Sequence, residues 1–396
     1  MATYKQLQRE PVTRELFNNR ITTLQGLQNF LNNSAFVAID TEHFSFTSEE
    51  DRILHQVGLA YVQNLTQDLP RTSAPSHNTS RPYLPEFYAN NEVRALTLNI
   101  NLGKEKRDEI TFKRQGGLPV RRRHRFGREQ LVDLRNLEGA IMDFIKSCNG
   151  KANLVLMGFE MAAEWTYLSR YFPQVIPFFS AWVDLRDIAK DITSSVGIIP
   201  GLVSLLKMFG YHWKDIQPGK KDLDDGLADN AGDDAVATCA LANALLDLEN
   251  QEKLKFRQEC GKIAGISTKR NGFRSPNIRD RFVATISADG PLPSTINSGM
   301  KVAGQFFNYS PQSTGIMSKE TAYLTFKSQE QMNQFVTAVH GQSLPTGEIL
   351  SVQGRVQEQK ATAKENSEKK EKQELRKGKK LARAGSEVDD IGYLFS

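Results

Sequence analysis

Short apolar runs separated by stretches of helical period constrain this chain more than any other feature. Phe36-Val37-Ala38-Ile39 is continuous in apolar residues over the length of a buried strand. His55 to Val62, Leu154-Val155-Leu156-Met157 and Trp182-Val183-Asp184-Leu185 read the same way, and Leu96, Leu98, Ile100 and Leu102 alternate as in a half-buried strand. Between them, residues 17–31, Leu131 to Phe144, the stretch from Gly158 to Phe172, Leu202 to Phe209 and Ala235 to Leu248 carry helical spacing. Strands alternating with helices predict an α/β sheet covered on its faces.

Residues 64–92 are rich in Pro, Ser, Asn and Thr and read as a loop, and the insertion 64–128 ends in a strongly basic stretch. A linker is expected over 256–279. Beyond it, residues 280–355 repeat the strand and helix pattern on a smaller scale: strands at Phe282 to Ser287, near Phe307 to Ile316, Ala322 to Phe326 and Glu348 to Val352, with helices at Ser294 to Phe306 and Ser328 to Val339. Residues 356–396 are rich in Lys and Glu and poor in apolar residues, which predicts a solvated helix or disorder. The expected division is therefore 1–255, 256–279, 280–355 and 356–396.

Several classes drop out on composition. No run of about 18 apolar residues is present, so no membrane span is expected. The first residues lack the apolar core of a signal peptide. With the scattered cysteines Cys148, Cys239 and Cys260, which make neither a disulfide framework nor a zinc pattern, this places the chain inside the cell, in cytoplasm or nucleus. A net charge of +5 is too small to establish nucleic-acid binding by itself.

The acidic residues carry the chemistry. Asp40 and Glu42 follow the first buried strand, and residues two apart on an extended chain point to one side. Glu160 and Glu164 lie four apart at the strand-to-helix junction after Gly158, and Asp229-Asn230-Ala231-Gly232-Asp233-Asp234 opens an apolar helix. Clustered carboxylates are what two-metal phosphodiester chemistry requires, because hard divalent cations take oxygen ligands. Each motif also has a plainer use: acids favour helix N-termini, and Asp229 or Asn230 suits a helix cap.

Taken in order, Ile39-Asp40-Thr41-Glu42, Gly158 to Leu168 and Asp229 to Ala235, with Arg125-Phe126-Gly127, resemble the DEDD superfamily of 3′→5′ exonucleases over residues 33–250. Within it the closest resemblance is to the fungal exonuclease-like group that includes the quelling-associated exonuclease. The resemblance implies an RNase H-like mixed sheet flanked by helices. It also implies two Mg²⁺ or Mn²⁺ ions held by Asp40, Glu42, Glu164 and Asp234, and single-stranded nucleic acid, RNA above all, as partner. Glu164 stands where the family carries Asp, and Asp229 where this branch carries its general-base His, which implies weakened turnover. The alternative is a catalytically silent scaffold that holds RNA or a protein.

The cluster Arg121-Arg122-Arg123-His124-Arg125 would neutralise phosphates, or serve only as a solubilising loop or localisation signal. Residues 280–355 resemble an RNA-recognition motif of βαββαβ order, a small ferredoxin-like domain, with Tyr323 as its stacking residue. The other reading of this unit is a degenerate module that binds protein, as the tail also would.

Overall fold

The computed structural model describes residues 11–44, 53–65, 84–113, 123–148, 153–194, 198–211, 230–265 and 272–357. The chain divides into two compact units, Met1–Glu259 and Cys260–Ser396.

The larger unit is built on a seven-stranded mixed sheet. Its strands are β1 (Arg20–Ile21), β2 (Ser34–Phe44), β3 (Ile53–Val62), β4 (Arg94–Asn101), β5 (Arg128–Asp133), β6 (Asn153–Gly158) and β7 (Ala181–Asp184), in the spatial order β1-β7-β6-β2-β3-β4-β5. β3 runs antiparallel to β2 and β4, and the remaining neighbours are parallel. The acid-bearing strand β2 is thus central.

Helices cover both faces, which is why the inner strands read as unbroken apolar runs. On one face Phe36, Ala38, Ala60, Met157 and Val183 pack beneath α7 (Leu185–Ile192), α8 (Leu202–Met208) and α9 (Ala231–Leu246). On the other, Val37, Ile39, Leu59, Leu98 and Trp182 meet α5 (Leu137–Ser147) and α6 (Ala162–Tyr171). α9 is buried on nearly every side and rich in Ala, with Gly232 in its first turn, so its backbone lies close against the sheet.

Several expected boundaries shift, each for a local reason. Residues 17–31 are not one helix: α1 (Pro11–Asn18) stops, Arg20 and Ile21 extend to pair with Trp182 and Val183, and Thr23 caps a new helix, α2 (Leu24–Phe30). The strand expected at Leu96 to Leu102 is present as β4, but the rest of 64–128 is not all loop, since it contains α3 (Leu84–Asn90) and α4 (Lys104–Lys113). The helix expected from Leu131 starts at Leu137, because Arg128–Asp133 is drawn into parallel pairing with β4. The linker expected from 256 begins later, since α10 (Leu248–Ala264) runs through it, anchored by buried Leu254, Gln258 and Cys260.

The smaller unit has a four-stranded antiparallel sheet of order β11-β8-β10-β9, from β8 (Phe282–Ala288), β9 (Ser313–Ile316), β10 (Thr321–Phe326) and β11 (Leu350–Val356). α11 (Gly299–Gln305), capped by Ser298, and α12 (Gln329–Val339), capped by Ser328, pack on one face around Phe335. Residues 358–396 lie outside the described residues. Among the described residues, no helix is long and apolar enough to cross a membrane.

Candidate metal centre

Asp40 and Glu42 sit two apart near the end of β2 and face the side of the sheet that carries α9, as alternation from Phe36 and Ala38 requires. The third acid comes from the first turns of α9, and two glycines decide how close it can come. Gly58 of β3 pairs with Asp40, and a Cβ added there would lie 1.9 Å from the carbonyl oxygen of Ala231. A Cβ on Gly232 would lie 2.0 Å from the Thr97 hydroxyl of β4. The helix tip therefore rests on bare backbone. Gly58→Ala is expected to push α9 outward, costing about 2 kcal/mol or more in a urea melt.

Polar groups fix the tip in place. The Asn230 side chain accepts from the amides of Gly232 and Asp233, at 3.0 and 3.3 Å, and from the Thr97 hydroxyl at 3.1 Å. Gln56 accepts from the Ala231 amide at 2.8 Å. The Asp234 amide donates to the Asn230 carbonyl at 3.0 Å. All of these N-terminal amides are satisfied within the protein, so the tip presents carboxylates rather than an anion site.

The result is a cluster in which one carboxylate oxygen each from Asp40, Glu42 and Asp234 lies within 4.8 Å of the others, every residue half-buried. A shared cation with oxygen ligands at about 2.0–2.6 Å spans oxygens roughly 4–5 Å apart. The donor set is all hard oxygen and fits such an ion. No family model matches the chain, and no curated protein matches it in sequence.

Glu164, expected as a fourth ligand, stands outside this cluster. Its Oε1 accepts from the Thr41 hydroxyl at 2.9 Å, and Thr41, lying between Asp40 and Glu42, points the other way. Burial pushes the Glu164 carboxyl up to about 7; the Thr41 hydrogen bond works against that rise and the nearby charge of Asp184 adds to it. Asp184 caps α7 and accepts from the amides of Glu160, Met161 and Arg186 at 3.0, 3.2 and 3.0 Å, which ties the turn after β6 to β7. Burial raises its carboxyl too.

Asp233 is nearly inaccessible and is consumed by Arg125, whose amide and Nε both donate to it at 2.9 Å. Arg125, expected on a phosphate path, is an exposed residue whose guanidinium is held as the counter-charge of buried Asp233. Arg125→Met would leave Asp233 buried without its cation, at a cost of about 3–5 kcal/mol in unfolding free energy. Arg123 is exposed. Arg121, Arg122 and the expected base Asp229 lie outside the described residues, and Asn230 takes the cap position that either it or Asp229 could have filled. Tyr323 is only 5% exposed, with its ring against Gly315, so it does not offer an open stacking face.

Proposed function

We propose that the larger unit is an RNase H-like, DEDD-type domain that shortens single-stranded nucleic acid, RNA above all, from its 3′ end. Asp40, Glu42 and Asp234 hold its divalent cation. The convergence of these three carboxylates, two from a central strand and one from a distant helix, carries this reading. A divalent cation bound there would offset phosphate charge and acidify a water. The chain's own part is to fix three oxygens on rigid elements and to keep the helix tip from competing for phosphate. The central place of β2 in a mixed sheet flanked by helices supports the RNase H-like reading of the fold. In the smaller unit, two helices on one face of a four-stranded antiparallel sheet support an RNA-recognition-motif-like fold.

One observation favours a second reading, a silent scaffold that binds RNA: Glu164 is turned to Thr41 and leaves three ligands where the resemblance implies four. End-labelled single-stranded RNA and DNA, incubated with Mg²⁺ or Mn²⁺, separate the two. Metal-dependent 3′ shortening that disappears in Asp40→Ala supports the nuclease. Binding without shortening, unchanged by that substitution, supports the scaffold.

A further inference from the structure

Gln56 is a buried polar residue of β3, 1% exposed, at the point where the two halves of the acidic cluster meet. It pairs in register with Glu42 of β2 on one side and with Asn99 of β4 on the other. Its Oε1 accepts from the Ala231 amide at 2.8 Å and its Nε2 donates to Asn99 Oδ1 at 2.7 Å. Asn99 Nδ2 donates to Glu129 Oε1, and Glu129 Oε2 meets His124 Nδ1 at 2.9 Å.

The direction of this chain of bonds is forced. A backbone amide can only donate, so Gln56 must turn its oxygen to Ala231 and its nitrogen to Asn99. Asn99 must then turn its own nitrogen to Glu129, and the carboxylate, which only accepts, requires the proton on His124 Nδ1. Every link has one orientation, and the row ends on the first amide of the helix that carries Asp234.

We infer that Gln56 is a positioning residue for the cation site, holding the tip of α9 so that Asp234 stays in range of Asp40 and Glu42. The inference rests on the cluster's being a metal centre. Without the Gln56 oxygen, the buried Ala231 amide loses its partner, an outcome costly enough to move the tip. Asp234, three residues on, moves with it. Loss of groups that orient metal ligands commonly weakens binding about 10–100-fold.

The test titrates the full chain with Mn²⁺ by calorimetry, in wild type and three variants. Gln56→Met keeps the volume and removes the acceptor, and is expected to bind Mn²⁺ at least about tenfold more weakly. Asn99→Ala frees the Gln56 amide to turn and should weaken binding in the same direction, by less. Gln251→Met removes another buried glutamine bond, donated to the Leu245 carbonyl near the far end of α9, and should bind as wild type does. Wild-type affinity in both Gln56→Met and Asn99→Ala would overturn the inference. So would an equal loss in Gln251→Met, which would mean that loosening α9 anywhere suffices. A wild-type protein that takes up no Mn²⁺ overturns the metal centre itself, and the positioning role with it.

Discussion

Asp40→Asn is expected to melt higher than wild type in the presence of a chelator and lower in the presence of Mn²⁺. Three carboxylates with oxygens within 4.8 Å of one another repel, and a bound cation would offset that repulsion. At the effective dielectric of a protein surface, relieving one member of such a pair is worth about 1–3 kcal/mol. The isosteric amide removes that repulsion in the metal-free protein. It also removes a ligand, so the variant forfeits the gain that a bound cation brings, about 4.1 kcal/mol at a thousandfold excess over the dissociation constant. The ranking of the two proteins should therefore reverse between the two buffers. Tryptophan fluorescence reports this cleanly, because Trp165 and Trp182 are buried in the core of the larger unit. A variant that melts below wild type in both buffers would mean that Asp40 serves the fold alone.

How much of this was legible in the sequence depends on whether a signal was local. The buried strands were, because Val155 to Met157 and Phe36 to Ile39 are covered on both faces and carry no polar residue. Asp40 and Glu42 were too, since spacing by two on a strand is a statement about one side. Leu131 shows the opposite: its helical spacing to the residues after it is accidental. Leu131 and Leu134 are 67% and 47% exposed, while Leu137 and Ile141 are buried beneath the sheet.

Asp234 could be named from motif order, but what brings it to Asp40 is Gly58, Gln56, Thr97 and Asn230, each unremarkable alone. A glycine inside an apolar strand was the one readable hint of close backbone approach. Arg125 and Tyr323 read as ligand contacts because Arg and Tyr are common in such contacts. The structure pairs Arg125 with buried Asp233 and buries Tyr323 against Gly315. Glu164 fits the motif in position, yet the direction of its side chain follows Thr41, and no spacing rule contains that bond.

That bond leads to the second large effect. The Glu164 carboxyl titrates near 7 in the folded protein against 4.5 for the free side chain. Below about pH 4.5 the group is protonated in both states and contributes nothing to the difference. As pH rises from there to about 7, the unfolded chain gives up its proton first and the folded chain does not, so folding stability falls. Above 7 the loss is complete, at up to about 3 kcal/mol for a shift of this size. Glu164→Gln keeps a carbonyl oxygen for the Thr41 hydroxyl and cannot ionise, so the slope should vanish. Urea midpoints of variant and wild type should agree near pH 4 and diverge steadily to pH 8, with the variant the more stable. Taking the difference between the two proteins cancels the titration of every other carboxyl common to both, Asp184 included insofar as it behaves alike in each. A constant offset across that range would show that Glu164 is charged in the folded protein at neutral pH. Its place beside Thr41 would then have to be held by a cation shared with Asp40, Glu42 and Asp234.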